Sequence, residues 1–495
     1  RIHVVFHKVR GKPIEPGAFS YFVAPTREPV ESQQLVFDLP SDMPLHADAR
    51  GYVGEPPVTD GARTRYAFDY RHGAYAATEP GAVGYAQDGD RLMVTTDADF
   101  AAFAERYRAG AADASAADPA IAALAHALTD AQPDPVSKAR AVYDWMRANI
   151  RYVALFVGET AARPHRVIDV LRNRYGDCKD HVALFGALLA AAGIRSEPAL
   201  IGLGPVYTLP SVPGYGASAI NHVIVWMPEL QTFADTTAGG IAFGYLPPGV
   251  MDRPALLVDE ARMVRTPAVE PRERASRVQI DIDASGAARY AYRVEDSGWT
   301  AELERNVFRR ATHERVQQIA YERLHNAGLR GSATIVADDV AATSGPFAVS
   351  MTGALEHLIW PDGMTGMPAI SSLSGGIATQ VEQWLAAGVR TQPFVCIGGE
   401  FDEAGQIALP SGMRAVFVPN DLELSAGGLH YRSHYVFDPA THIVQITRRL
   451  QARFGKQVCS PDEFAAMRPA LERMERDALA QVIVAPRVDE SSRSR

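Results

Sequence analysis

The sequence predicts an α+β protein in which a mainly helical segment stands between two β-rich segments. The chain has 495 residues, which is too long for one ordinary hydrophobic core and predicts two to four domains. Apolar residues make up 47% and charged residues 22%, which is typical of a folded globular protein. The apolar period changes from strand-like to helical near Asp118 and returns to strand-like beyond Val264.

The charge and the hydropathy pattern exclude two classes of partner. A net charge of -9 argues against general nucleic-acid binding, which usually needs a basic face. No run approaches the roughly 18 uninterrupted apolar residues of a membrane-spanning helix, so we expect no transmembrane segment. The sequence opens on Arg1 rather than Met, directly in strand-like sequence. We therefore expect a trimmed chain from which any signal peptide has been removed.

Residues 1–117 are predicted to form an N-terminal β-rich domain. Strand-like runs such as RIHVVFHKVRG (1–11), QQLVFDLP (33–40) and RTRYAFDYR (63–71) are separated by turn residues. The run RLMVTTDADFAAFAERYRAG (91–110) predicts a strand followed by a short helix. The small, polar segment at 109–120 is the best candidate for a linker to the next domain.

Residues 118–264 are predicted to form a second domain that opens with two helices. Each helix begins with Asp-Pro, at Asp118 and at Asp134, where the acid can cap the helix and proline occupies the first helical position. The apolar spacing of the second helix predicts a buried face, which consists of Val136, Ala139, Tyr143, Met146 and Ile150.

The segment RYGDCKDHVALFGALLAAAGI (174–194) contains one of three cysteines and predicts a helix that begins at Cys178. Asp177 is a good N-cap residue, and Asp180 follows it at capping-box spacing. The sulfur of Cys178 would lie near unpaired backbone N–H groups and the positive end of the helix dipole, which favours a thiolate. An inert buried cysteine is the alternative, because free cysteine is among the most buried residue types. Lys179 is predicted to be a solvated base.

Two histidines are candidates for a base that activates Cys178. His181 is its neighbour on the helix surface, but the nearby acids are committed to the helix start. His222 opens the strand NHVIVWM, and Asp235 closes the strand QTFAD. An antiparallel hairpin through MPEL would set His222 directly opposite Asp235, and Ile224 opposite Phe233. A cross-strand surface pair without chemistry is the alternative.

Residues 265–495 are predicted to form a C-terminal β-rich region with helices. We expect a hairpin about 284–286, one or two helices within 301–326 and 376–386, and a strong helix within 460–483. Cys396 and Cys459 can pair, which would leave Cys178 as the free thiol. The tail DESSRSR is predicted to be disordered.

The segment around Cys178, together with NHVIVWM and FADTTAGGIAFGYLP, resembles the core of the transglutaminase-like superfamily. The order Cys, His, Asp matches the papain-like triad of that superfamily. The upstream run PHRVIDVLRNRYGDCKD resembles a bacterial subset in which a β-rich domain precedes the core. The resemblance implies a papain-like transglutaminase core in which Cys178 is the nucleophile, His222 the base and Asp235 the orienting acid. It also implies export, for example to the periplasm.

The chemistry that this resemblance implies is attack on an amide or peptide bond through a thioester intermediate. Hydrolysis of a protein or peptide is the preferred interpretation, because water is always available. Amine transfer onto protein glutamine and a non-catalytic cell-envelope binding module are the alternatives. The backbone N–H of Cys178 is the expected oxyanion donor, and Trp145 and Tyr152 are candidates for a second donor. We expect no cofactor and no metal, since no second ligand cluster lies at zinc spacing.

Overall fold

The computed structural model describes residues 4, 5, 7, 17–25, 28–115, 118–154, 163–268 and 272–487. The chain divides into two compact units, each mixing helices and strands, so the predicted α+β class is confirmed. Most of the strand predicted at 1–11 and all of the tail DESSRSR lie outside the described residues. The first unit comprises Arg1–Thr78, Gly84–Gly239 and Phe243–Pro267, and the second comprises Glu79–Val83, Gly240–Ala242 and Ala268–Arg495. The predicted domain boundaries after residues 117 and 264 remain predictions.

The first unit begins with the β-rich part that the sequence predicts. Strands β1, β7 and β3 form one antiparallel sheet, and β2, β6 and β4 form another, with β5 paired to β6. The segment predicted as a linker is helical as far as Ser115, because α2 runs to Ala111 and a 3-10 turn follows it. The elements are β1 Ser20–Val23, β2 Val30–Pro40, β3 His46–Arg50, β4 Val53–Gly54, β5 Val58–Asp60, β6 Arg63–His72, α1 Tyr85–Asp88, β7 Arg91–Thr95 and α2 Phe100–Ala111.

Four further helices and two short strands follow in the first unit. Asp118 and Asp134 cap α3 and α4 as predicted, through bonds to the backbone N–H groups of Ala120 and Ser137. The predicted buried face of α4 is buried except at Val136, which is 44% exposed because it lies in the first turn. The elements are α3 Pro119–Thr129, α4 Pro135–Asn149, β8 Arg151–Tyr152, α5 Val167–Asn173, β9 Tyr175–Gly176 and α6 Cys178–Ala191.

Helix α6 begins at Cys178, as the sequence predicts. Asp177 and Asp180 form the complete capping box, in which each side chain accepts a bond from the other residue's backbone N–H. Val182, Phe185 and other apolar residues of α6 are buried in the core of the first unit. The nucleophile candidate is therefore fixed at the tip of a helix that the core anchors.

A five-stranded antiparallel sheet, in the order β12-β11-β10-β13-β14, packs against α6. The predicted hairpin is present, but its predicted register is wrong by two residues, because Phe233 pairs with Trp226 rather than with Ile224. The cause is a four-residue loop in which Gln231 adopts a left-handed φ of 49°. The strands are β10 Glu197–Ile201, β11 His222–Met227, β12 Thr232–Ala234, β13 Pro254–Leu257 and β14 Arg262–Arg265.

The second unit is built on an eight-stranded sheet in the order β17-β18-β16-β15-β21-β25-β24-β23. The predicted hairpin about 284–286 joins β15 to β16, and helices occupy the predicted segments. The last helix ends at Ala478, and the apolar residues after it form a strand instead. The strands are β15 Arg272–Ile282, β16 Ala288–Ser297, β17 Gly331–Ala337, β18 Phe347–Leu355, β19 Thr365–Pro368, β20 Phe394–Val395, β21 Gly399–Ala408, β22 Met413–Phe417, β23 Leu422–Ala426, β24 Leu429–Asp438, β25 Ile443–Ala452, β26 Val458–Cys459 and β27 Gln481–Pro486. The helices are α7 Gly298–Arg310, α8 His313–Asn326, α9 Ile377–Leu385 and α10 Pro461–Ala478.

The three cysteines are divided between one disulfide and one free thiol. Cys396 and Cys459 form a disulfide, and Cys178 is a free, buried thiol. Among the helices of the described residues, none is both long enough and apolar enough to cross a bilayer.

Candidate active site

Cys178 is the first residue of α6 and lies near His222, the first residue of β11. Both Cys178 and His222 line one cavity of about 230 Å³ in the first unit. Cys178 is 7% exposed, His222 4% and Asp235 2%, so the three side chains are close to fully shielded from water. The structure therefore brings together the three residues that the sequence singled out.

A hydrogen bond joins His222 to Asp235. The Nε2–H of His222 donates to Oδ2 of Asp235 over 3.0 Å. Cys178 lines the same cavity as His222 and is close enough to help raise the pKa of the ring. In the observed register, continued past the end of β12, Asp235 lies opposite Ile224 and is diagonal to His222. A register shift of two residues leaves each side chain on the same face of the hairpin. His222 and Asp235 are therefore in contact although the predicted register is wrong.

The charges of this cluster favour a protonated His222. Burial lowers the pKa of His222, but the carboxylate of Asp235 and the nearby Cys178 outweigh burial and raise it to about 10. Burial acts to raise the pKa of Asp235, but His222 and the hydrogen bonds from Thr237 hold that pKa below its usual value. At neutral pH the pair is therefore an imidazolium beside a carboxylate.

The second oxygen of Asp235 is also fully engaged. Thr237 donates to Oδ1 of Asp235 from its backbone N–H at 3.0 Å and from its hydroxyl at 2.6 Å. The phenol of Tyr143, on α4, donates to the backbone carbonyl of Asp235 over 3.1 Å. Sequence reasoning did not assign these supporting roles. The Asp-Thr-Thr spacing is a local signal that can identify Thr237, because threonine two residues after an aspartate often bonds to it.

His181, the competing histidine, is used differently. Its Nδ1–H donates to the backbone carbonyl of Thr236 over 2.9 Å, and its side chain is buried. Burial lowers the pKa of His181 and keeps the ring neutral. His181 thus stabilises the segment that contains Asp235, through its bond to the neighbouring residue Thr236.

The residues that flank Cys178 are more buried than the sequence suggests. Lys179 is 5% exposed and forms an ion pair with the fully buried Asp177, so the prediction of a solvated base is wrong. A buried ammonium requires a partner, and the N-cap acid supplies it. Asp180 accepts bonds from the backbone N–H of His165 at 2.7 Å and of Asp177 at 3.1 Å. These contacts fix the start of α6.

The two candidates for a second oxyanion donor differ in their surroundings. The ring of Trp145 lies 5.1 Å beneath the guanidinium of Arg174. Burial, Cys178 and Asp177 together raise the pKa of Tyr152 to about 12, and its ring packs edge-on against that of His181, with 6.0 Å between the ring centroids. Tyr152 is therefore the better placed of the two.

Tyr107 on α2 also lines the cavity, and sequence reasoning missed it. Burial, Tyr215 and Cys178 raise its pKa well above the usual range for tyrosine. No signal in the sequence links Tyr107 to Cys178, because the two residues lie 71 positions apart on different elements. In the described part of the chain, no group of three or more His, Cys, Asp or Glu side chains is arranged to hold a metal ion.

Comparisons with known proteins support this picture of the fold. Residues 122–227 match the sequence model of the transglutaminase-like superfamily, and this match includes α6 with Cys178 and β11 with His222. The chain therefore contains a transglutaminase-like core. No curated protein matches the chain by sequence.

Two solved structures resemble the chain as a whole or in part. A "putative protease" from Parabacteroides distasonis aligns with a TM-score of 0.63 at 14% identity, over 95% of this chain and 75% of its own. A "putative cysteine protease" from Cytophaga hutchinsonii aligns over 45% of this chain and 72% of its own, at 12% identity and a TM-score of 0.20. The first similarity shows a shared fold. The second is too weak to show a shared fold.

Proposed function

We propose that the protein is a cysteine-dependent amide or peptide hydrolase, with Cys178 as nucleophile, His222 as base and Asp235 as orienting acid. The observation that carries the proposal is the hydrogen-bonded pair Asp235–His222, whose histidine lines the same cavity as Cys178. Nucleophile, base and orienter within hydrogen-bond reach are the arrangement that activates a thiol for covalent catalysis.

The first half of the reaction forms a thioester. Since Nε2 of His222 bonds to Asp235, Nδ1 is the ring atom that holds the proton taken from the Cys178 thiol when the ring is an imidazolium. The sulfur of Cys178 then attacks the carbonyl carbon of the substrate amide, and its electron pair forms the new C–S bond. The protonated His222 gives its proton to the leaving nitrogen as the C–N bond breaks. The amine departs, and the acyl group stays on the sulfur.

The negative oxygen of the tetrahedral intermediate needs donors at the helix start. The backbone N–H of Cys178 belongs to the first turn of α6, where N–H groups have no intrahelical acceptor. One such donor contributes about 3–4 kcal/mol to the transition state. The phenol of Tyr152 is the proposed second donor, because its ring packs against His181, which lies one turn along α6 from Cys178.

Water completes the cycle in this proposal. His222 removes a proton from water, the oxygen attacks the thioester, and the C–S bond breaks to give a carboxylic acid and the regenerated thiol. A primary amine in place of water would give transamidation, which is the alternative reaction. We propose hydrolysis because water is always available as the acyl acceptor.

The substrate in this proposal is a protein or peptide, and the protein acts outside the cytoplasm. Disulfides persist mainly in oxidising compartments, and the Cys396–Cys459 disulfide supports an exported, for example periplasmic, location.

The test offers a denatured protein mixture together with a fluorescent primary amine. We expect new peptide amino groups without fluorescent protein, and no reaction from the Cys178→Ser variant. Fluorescence incorporated into protein would instead indicate transamidation. A binding module predicts neither product, and an unchanged reaction in Cys178→Ser would remove the proposed nucleophile.

A further inference from the structure

The cavity beside Cys178 has the size and the lining of a side-chain pocket. Its volume of about 230 Å³ lies below the range of about 300–1,000 Å³ that is usual for drug-sized ligands. The space therefore suits one substrate side chain better than a cofactor. Its walls, apart from the catalytic residues, are largely aromatic and aliphatic: Tyr107, Leu200, Tyr215, Gly216, Ile220 and Val223.

Two polar residues that line the cavity are already engaged within the protein. The ammonium of Lys179 is paired with Asp177, so it presents no net positive charge to a ligand. The amide of Asn221 accepts from the backbone N–H of Leu203 at 2.6 Å and donates to two backbone carbonyls, each at 3.3 Å. A charged side chain that entered the cavity would lose its hydration without meeting an unpaired side chain of opposite charge in the lining, which is costly.

We propose that this cavity receives one large apolar side chain of the substrate, from a residue beside the amide carbonyl that Cys178 attacks. The inference rests on the proposed function, since it uses the same nucleophile, and it adds the substrate class. Substrates are protein segments with a leucine-like or phenylalanine-like residue next to the bond that is cut. Burial of such a side chain favours these substrates over charged ones by about 10- to 150-fold.

The outer wall of the pocket is held by the N-terminal β-rich part of the first unit, including its helix α1. The loop between β10 and β11 carries Tyr215, Gly216 and Ile220. The buried side chain of Gln87 holds this loop, because its Oε1 accepts from the backbone N–H groups of Tyr207 at 2.7 Å and Thr208 at 2.9 Å.

Two further hydrogen bonds hold this loop in place. Nε2 of Gln87 donates to the carbonyl of Ser218 over 3.3 Å, and Oδ2 of Asp48 accepts from the backbone N–H of Ser211 over 2.6 Å. A Cβ atom at Gly216 would lie only 2.7 Å from the Cβ of Phe22 on β1, so the loop lies directly on that strand. The β-rich part thus sets the shape of the pocket, and Gln87 is a positioning residue for it.

The test uses short peptides that end in a chloromethyl ketone. Capture forms a bond between the Cys178 sulfur and the methylene carbon, and chloride leaves, so no turnover is needed. The last residue and the residue before it are each varied among Leu, Phe, Ala, Glu and Lys. The measurement is the second-order rate of Cys178 labelling by mass spectrometry, with iodoacetamide as the reagent that lacks a side chain.

At one of the two positions, we expect Leu or Phe probes to label Cys178 at least about tenfold faster than Glu or Lys probes. Equal rates for all probes, combined with rapid iodoacetamide labelling, would overturn the pocket and leave the proposed nucleophile standing. If the Glu probe labels Cys178 fastest, the apolar pocket is also overturned, and Lys179 is identified as the group that recognises the substrate. Iodoacetamide labelling no faster than that of a free thiol would overturn the proposed function itself.

A pair of glutamine variants tests the wall. Gln87→Ala removes four bonds to the loop, including one from the Thr208 hydroxyl at 3.4 Å, and we expect the ratio of Leu to Glu labelling to fall at least about fivefold. The ratio is taken within each variant, so that a general change in thiol reactivity cancels. Gln34→Ala is the matched control, because its amide lies exposed on β2 and bonds to Asp69. An unchanged ratio in folded Gln87→Ala, or an equal fall in Gln34→Ala, would refute the role of Gln87.

Discussion

Replacing Asp235 by Asn removes the negative charge beside His222 while it preserves the size of the side chain. In the native protein, Oδ2 of Asp235 accepts the Nε2–H of His222 over 3.0 Å, and both groups are buried. An asparagine that keeps the bonds from Thr237 on its oxygen presents an N–H donor to His222 instead. Nε2 must then be unprotonated, and Nδ1, the ring nitrogen proposed to serve Cys178, carries the proton. A neutral imidazole ring that already carries its proton on Nδ1 cannot accept the thiol proton at that atom.

The size of the effect follows from the interaction that is lost. A hydrogen bond to a charged group contributes about 1.5–3 kcal/mol, and each 1.36 kcal/mol corresponds to about tenfold in rate. Asp235→Asn should therefore slow the reaction of Cys178 with iodoacetamide about 10- to 150-fold at neutral pH. Without the carboxylate, burial dominates, and the pKa of His222 falls below its present raised value.

The assay is the rate of Cys178 carboxamidomethylation, followed by mass spectrometry. Thr237→Val is the graded control, because it removes one of the two bonds from Thr237 to Oδ1 of Asp235 and leaves the charge in place. We expect a reduction of less than about tenfold for this control. A folded Asp235→Asn protein that is labelled as fast as the native protein would refute the role of the carboxylate.

Further predictions concern stability and the second histidine. Asp235 raises the pKa of His222 from 6.5 to about 10, so this stabilisation is complete below pH 6.5 and is lost as the pH rises through about 10. The pKa of Asp235 is lowered from 3.8, so its contribution is lost as the pH falls below that value. In urea unfolding, the free energy of unfolding of the native protein should therefore exceed that of Asp235→Asn by the largest amount between about pH 4 and 6.5. A difference in this free energy that grows toward pH 10 would contradict this expectation. His181→Ala should slow iodoacetamide labelling less than His222→Ala, because His181 bonds to the carbonyl of Thr236, and the reverse order would make His181 the base. Reduction of the Cys396–Cys459 disulfide, which spans 63 positions, should destabilise the protein in urea unfolding by about 4 kcal/mol, and an unchanged midpoint would show that it stabilises nothing.

The parts of the site that depend on local signals could be predicted from the sequence. The start of α6 follows from Asp177 and Asp180 at capping-box spacing, and the structure contains that box. The proximity of His222 and Asp235 follows from the two-residue period of a hairpin, which any even shift preserves. The register itself could not be derived, because it depends on the left-handed conformation of Gln231 in the loop.

The parts that depend on tertiary packing could not be predicted. Lys179 looks like a surface base in the sequence, and only the packing around α6 shows that it is buried with Asp177. Tyr107 and Gln87 belong to the segment predicted as a separate N-terminal domain. Both nevertheless shape the cavity of the core, since long-range contacts bring α2 and the β-rich part against it.

The central claim is that Cys178 carries an acyl group during the reaction. The most direct measurement mixes the protein with a p-nitrophenyl ester of an N-acetylated apolar amino acid and determines the intact mass at early times. We predict a burst of nitrophenol with one acyl group per chain, located on Cys178 and removed by hydroxylamine. The burst should be slower in His222→Ala and absent in Cys178→Ser. Acylation at any other residue, or a burst of equal rate in His222→Ala, would contradict the account.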